Sequence, residues 1–190
     1  MKDVEAKAVY FERPGPENTA RTLRLARKRA QELGVKTVLV ASTQGETGVK
    51  ACQVLKGLKV IVVTHVTGFK GPDTQELLPR NREKILKLGG AVFTTTHAFG
   101  GVGRAVRRRL NTYQTEEIIA HALRIFGQGV KVGCEMALMA ADAGLVRTDE
   151  EIIAVAGTDR GADTAVVLRP AHAQDFFSLR VNEIICKPRL

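Results

Sequence analysis

Val38-Leu-Val-Ala41 is apolar at every position, and so is Val60-Ile-Val-Val63. Successive side chains of a strand point to opposite faces, so neither run can leave a face in water. Both must be covered on two sides, which parallel strands achieve when helices cross over them. The surrounding sequence offers those helices. Leu23, Ala26, Ala30 and Leu33 recur at helical spacing, with Arg24, Arg27, Lys28 and Gln31 turned away and Gly34 as the stop. Further helical patterns run from Thr74 or Pro79 to Leu88, over Val102, Val106 and Leu110, and from Thr115 onward with Ile119, Ala122 and Phe126 as the core face. Asn18 or Thr19 is expected to cap the first helix, and Thr115 a later one. Val130–Ala143 is apolar nearly all round and predicts a buried helix.

Three more apolar runs read as strands: Ala91–Thr95, Glu151–Ala156 and Thr164–Leu168. The last two are joined only by Gly157–Asp163, too short for a crossover helix, so this pair should be antiparallel. Ala8–Phe11 and Val181–Cys186 are short outer strands, the second expected at the periphery. The expectation is a three-layer, doubly wound α/β fold with a mostly parallel sheet, and one domain over residues 1–190.

Composition narrows the classes. At 44% hydrophobic residues the 190-residue chain can bury a sizeable core. No apolar run approaches the ~20 residues of a membrane-spanning helix. The opening heptad Met1–Lys7 has no apolar leader, and a cytoplasmic location away from membranes is expected. Cys52, Cys134 and Cys186 form no C-x-x-C pair; each sits in an apolar pattern and reads as a small core residue. No His or Cys spacing predicts a metal site. The net charge of +9 fits anionic ligands, nucleic acid or a basic surface.

Ligands of such sheets bind beyond the carboxyl ends of the strands. Four loops are expected there: Ser42–Gly48, Thr64–Gly68, Thr96–Gly103 and Gly157–Asp163, each combining Gly with Ser or Thr. Ser42-Thr-Gln-Gly-Glu-Thr-Gly48 leads from a strand into a helix, where hydroxyls and first-turn N–H groups suit a phosphate. Its spacing is neither that of a Walker A loop nor G-x-G-x-x-G. Ser42, Thr43, Gln44, Gly45, Thr47 and Gly48 are the candidate phosphate holders, with Glu46 facing out. Thr67, Gly68, His97, Gly100 and Arg104 would flank the ligand, and Gly157 and Arg160 contribute from the fourth loop. His65 and His97 both follow strands and are candidates for one cleft. Glu135 on the buried helix must be hydrogen-bonded or near the cleft. Arg104, Arg107, Arg108 and Arg109 lack the interleaved aromatics of a nucleic-acid face; they read as solvated, or as a contact with another subunit in a homo-oligomer.

The run Val38–Ala51 followed by Lys59–Thr64 resembles the C-terminal α/β domain of pyruvate kinase, as does Ile152–Leu168. Over nearly its whole length the chain is similar to stand-alone pyruvate kinase C-terminal-domain-like proteins of prokaryotes, archaea above all. Tyr10–Thr19, Met139–Gly144 and Arg160–His172 carry that likeness. The resemblance implies a strand order of 3-2-1-4-5 with the fifth strand antiparallel. It also implies a phosphorylated small ligand, with flavin mononucleotide (FMN) the candidate cofactor. The catalytic barrel of pyruvate kinase has no counterpart in these residues, so kinase activity is not expected. The alternative is a non-enzymatic module that senses a phosphorylated metabolite.

Overall fold

The two fully apolar runs form the middle of one mixed sheet. The computed structural model describes residue 3 and residues 5–189; Met1, Lys2 and Val4 of the opening heptad lie outside them. In chain order the strands are β1 (Val9–Phe11), β2 (Thr37–Ala41), β3 (Lys59–Val63), β4 (Ala91–Phe93), β5 (Ile152–Ala156), β6 (Thr164–Arg169) and β7 (Arg180–Pro188). The helices are α1 (Thr19–Leu33), α2 (Glu46–Val54), α3 (Pro79–Lys87), α4 (Val102–Leu110), α5 (Thr115–Arg124) and α6 (Gln128–Asp142).

Spatially the sheet reads β1-β7-β6-β5-β2-β3-β4. Five of the seven strands, read β4-β3-β2-β5-β6, stand in the expected 3-2-1-4-5 order, and β5 and β6 pair antiparallel from Ile152↔Leu168 to Ala156↔Thr164; the full sheet differs from the expectation by two further strands. The sheet then continues through β7, antiparallel to β6, and ends at β1, parallel to β7. The run Val181–Cys186 is thus flanked on both sides and is not peripheral. Its longer strand covers β6 and offers a second edge to the short β1.

Alternation along β2 assigns side chains to layers. Val38 and Val40 face α1, α2 and α3 with Leu23, Ala26, Cys52 and Ile85, whereas Leu39 faces α6 with Cys134, Ala137 and Leu138. All of these residues are buried. The helix nearly apolar all round is found as α6, and Cys52, Cys134 and Cys186 are buried free thiols. Desolvation pushes the Cys134 thiol up to about 12 and that of Cys186 to about 11.

Four local expectations are corrected. Neither Asn18 nor Thr19 caps α1 with its side chain: Asn18 Nδ2 donates to the Arg13 carbonyl, and Thr19 Oγ1 donates to that of Pro16. The Thr115 hydroxyl does not cap α5 either, where Gln114 occupies the cap position. Val102, Val106 and Leu110 are no core stripe, for α4 has no buried residue and Val102 is 82% exposed. On α5 the inward face is Ala120 with Ile119 and Leu123, while Ala122 and Phe126 are exposed.

Candidate functional site

Strand order reverses at β2: α2 carries the chain to β3 on one side, and β5 arrives from α6 on the other. The carboxyl ends of β2, β3, β4 and β5 share one sheet edge, where a crevice forms by topology.

The first wall of the crevice is the turn into α2. Gly45 has φ 93°, and a Cβ there would lie 2.6 Å from both Asn81 Cβ and Leu77 Cδ1. Only glycine meets both demands. Asn81 Nδ2 donates to the Gln44 carbonyl at 2.8 Å and fixes the turn to α3. Ser42 is buried, and its Oγ accepts the Gly48 N–H at 3.1 Å. That hydroxyl shapes the turn. The N–H groups of Glu46 and Thr47 sit in the first turn, where a helix provides no internal acceptor. With the Thr43 and Thr47 hydroxyls they make up the donor set, and the Glu46 side chain is exposed, as expected.

The second wall is an aromatic cluster that joins the loops after β3 and β4. The His65 ring lies 4.3 Å from Phe69 and 5.5 Å from His97, and Phe69 lies 5.3 Å from His97. The two histidines do share one cleft. Glu76 Oε2 accepts from His65 Nδ1 at 2.8 Å, so the opposite ring nitrogen, Nε2, faces Thr43 Oγ1 at 3.5 Å. A carboxylate thereby orients a histidine whose free nitrogen meets a hydroxyl at the turn into α2. Such a group accepts a proton or a hydrogen bond from a ligand. His97 Nε2 accepts the Val66 N–H at 3.3 Å. That amide can only donate, so this nitrogen is unprotonated. Burial holds the His97 pKa below its ordinary value, partly offset by the charge of Glu135.

Arg104 closes the cluster, its guanidinium carbon 4.9 Å from the Phe69 ring centroid. A Cβ on Gly100 would fall 2.7 Å from Arg104 Nη2, so this glycine makes room for the guanidinium. Thr67 and Gly68 lie in the loop after β3, which Gly68 N–H closes on the Thr74 carbonyl at 2.9 Å. Beneath the cluster Glu135 is buried and hydrogen-bonded, as its position on α6 demanded: Oε1 accepts the Phe99 N–H at 3.0 Å, and Oε2 meets Lys131 Nζ at 2.5 Å. Burial lowers the Lys131 pKa, and Glu135 opposes that shift.

Gly157 and Arg160 belong to a loop with other attachments. Asp163 Oδ2 accepts from Gly15 N, Thr158 N and Thr158 Oγ1, and Ala162 N–H donates to Thr19 Oγ1. The loop is stitched to the start of α1, and Arg160 is exposed. Sequence reasoning missed Phe69, Glu76 and Lys131. Lys131 alone left a signal, the i,i+4 spacing to Glu135 on an otherwise apolar helix. Among the described residues, no group of three His, Cys, Asp or Glu side chains is placed to hold a metal ion. Among the described residues, no helix is long and apolar enough to cross a membrane.

Residues 20–168 match the family described as pyruvate kinase, alpha/beta domain. The chain belongs to that family. Similar solved structures include three of pyruvate kinase from Cryptosporidium parvum. The first is 14% identical at a TM-score of 0.41, covering 83% of this chain and 24% of that one. The second is 15% identical at 0.41, with the same coverage. The Cryptosporidium parvum enzyme in complex with ADP is 14% identical at 0.40, covering 93% of this chain and 25% of that one. This member of the pyruvate kinase α/β-domain family thus spans about a quarter of the length of those kinases.

Proposed function

We propose that this chain binds a phosphorylated small molecule at the carboxyl edge of its sheet, and that the candidate ligand is FMN. One observation carries the reading. The donor set of the α2 turn stands beside the His65–Phe69–His97 cluster, through the contact of Thr43 with His65. A ligand with a phosphate and an aromatic ring matches that pair of surfaces. The phosphate fits the first-turn N–H groups and the Thr43 and Thr47 hydroxyls. The ring fits the aromatic faces, with Arg104 at their margin. When bound, FMN supplies electron transfer; the chain holds and places it. Gly157 and Arg160 add nothing to this reading, and Ser42 acts through the shape of the turn.

The experiment is a titration of purified protein with FMN and with riboflavin, followed by flavin fluorescence. FMN should bind at least tenfold more tightly than riboflavin, and Thr47→Ala should remove most of that difference. Phe69→Ala should weaken both ligands alike. Equal affinity for FMN and riboflavin would sink the phosphate assignment, and no binding of either would sink the flavin.

A second reading has its own observation. Val102, Leu110, Tyr113, Ile118, Ile125 and Phe126 are all exposed on or beside α4 and α5. So much exposed apolar surface on neighbouring helices suits a protein contact. On this reading the chain is a non-enzymatic module that senses its phosphorylated ligand and presents α4 and α5 to a partner. Turnover of any substrate by the isolated chain, lost in His97→Gln, would rule it out.

A further inference from the structure

The basic stretch of α4 does more than face solvent. A cavity of about 330 Å³ lies between α4, α5 and α6, and its wall includes Arg104, Arg107, Arg108, Arg124 and Lys131. The same wall holds one carboxylate, Glu117. Two of the five cations are matched: Arg107 Nε donates to Glu117 Oε1 at 2.6 Å, and Lys131 is paired with Glu135. Three are not. Arg124 Nε donates to the neutral Gln128 Oε1 at 2.8 Å, and Arg104 lies on Phe69. Arg108 has no hydrogen bond or ion pair among the described residues.

Like charges gathered in a concavity repel, and the effect reaches the buried lysine. Arg124 and Arg104 both disfavour the protonated form of Lys131, adding to the effect of its burial. A fold gains by filling such a place with negative charge. We propose that this cavity is a second binding site, specific for a small multivalent anion bearing phosphate or carboxylate groups. Its capacity follows from the unmatched cations, which call for two or three negative charges. The volume lies at the lower end of the range for small-ligand sites. Planar guanidinium forks suit the paired oxygens of phosphate and carboxylate. A nucleic-acid strand fits worse: the wall is concave, Glu117 sits in it, and its two exposed rings, Tyr113 and His121, meet edge to face instead of offering open stacking faces. The site is separate from the α2 turn, with Arg104 between them, and does not depend on the flavin reading.

Isothermal titration at constant ionic strength tests this, with inorganic pyrophosphate in one arm and citrate in the other. We expect saturable binding of one anion per chain in at least one arm. The double variant Arg108→Gln/Arg124→Gln should weaken it at least tenfold, with far-UV circular dichroism confirming the fold. Lys56→Gln/Lys87→Gln removes the same charge from exposed positions elsewhere and should leave binding within twofold. A stronger pyrophosphate arm identifies a phosphate ligand and a stronger citrate arm a carboxylate one, and either supports the site. The proposal is overturned by the absence of saturable binding in both arms, or by equal weakening in the Lys56/Lys87 variant. It is also overturned if Thr47→Ala abolishes binding that Arg108→Gln/Arg124→Gln leaves intact, or if single-stranded RNA binds these arginines and saturating pyrophosphate does not displace it.

Discussion

Lys131→Met tests whether the buried pair beneath the cleft governs stability. The Lys131 and Glu135 side chains are 8% and 7% exposed, and their charged atoms are 2.5 Å apart. Removing the ammonium leaves the Glu135 carboxylate buried with the Phe99 N–H as its remaining hydrogen bond. Coulomb's law at an effective dielectric constant of about 20 gives roughly 6–7 kcal/mol for charges this close. Relaxation and entering water recover part of that, and breaking a buried pair from one side costs about 3–5 kcal/mol. We expect that loss in urea unfolding followed by circular dichroism at pH 8, with an unchanged slope. Lys131→Met/Glu135→Gln should restore most of the loss, because a neutral amide oxygen still accepts from Phe99. A Lys131→Met protein within about 1 kcal/mol of wild type would refute the reasoning.

Three further outcomes follow from single contacts. Gly48→Ala places a Cβ 2.7 and 2.9 Å from the two Val62 Cγ atoms and 3.0 Å from Ile85 Cδ1. Overpacking of this kind costs about 1–3 kcal/mol and should lower the melting temperature despite the better helix propensity of alanine. His97, whose folded-state pKa is depressed by burial, contributes stability above the ordinary ~6.5 that is lost as pH falls through that value toward the folded pKa; His97→Gln should flatten the slope in urea midpoints between pH 7 and 5. Asp163→Ala removes the acceptor of Gly15 N, Thr158 N and both the Thr158 and Thr164 hydroxyls. A loss on the order of 3 kcal/mol is expected, with faster amide exchange at Gly15 and Thr158 together. Exchange that rises at only one of them would show that Asp163 does not couple the two segments.

The sheet was legible because its signal is local. Val38–Ala41 and Val60–Val63 need two covered faces whatever surrounds them, and the brevity of Gly157–Asp163 permits one strand direction. The meeting of His65 and His97 was legible for a related reason: both follow parallel strands and so emerge at one edge. Helix faces were less secure. Val102, Val106 and Leu110 have core spacing, yet burial requires a neighbour, and α4 has none on that side. On α5 the inward face is rotated relative to Ile119, Ala122 and Phe126, since the packing of Ala120 against α6 decides it. Caps failed where a hydroxyl had a stronger partner, as Thr19 does in the carbonyl of Pro16 and the amide of Ala162. Glu76 and Phe69 reach the cleft through a loop folded back by the bond from Gly68 to Thr74. No periodicity encodes such a closure. The basic cavity was hidden because its charges come from three helices, and only their packing brings Arg124 and Lys131 opposite Arg108.

The pairing of β1 with β7 sets an order of events for the growing chain. Val9–Phe11 precedes the other described strands in the chain, but its partners are Cys186, Lys187 and Pro188. Within residues 20–168 the pairs β2–β3, β3–β4 and β5–β6 join strands made shortly before or after each other, and only β2–β5 spans a long separation. That strand has no parallel partner until residues 186–188 have been made. Contacts of such high sequence separation form slowly. The early strand is therefore the last to dock, and its hydrogen-bonding edge stays open to other chains in the interval. Brevity is the safeguard: three residues offer little for another chain to pair with, and Pro14 and Pro16 follow closely enough to prevent extension.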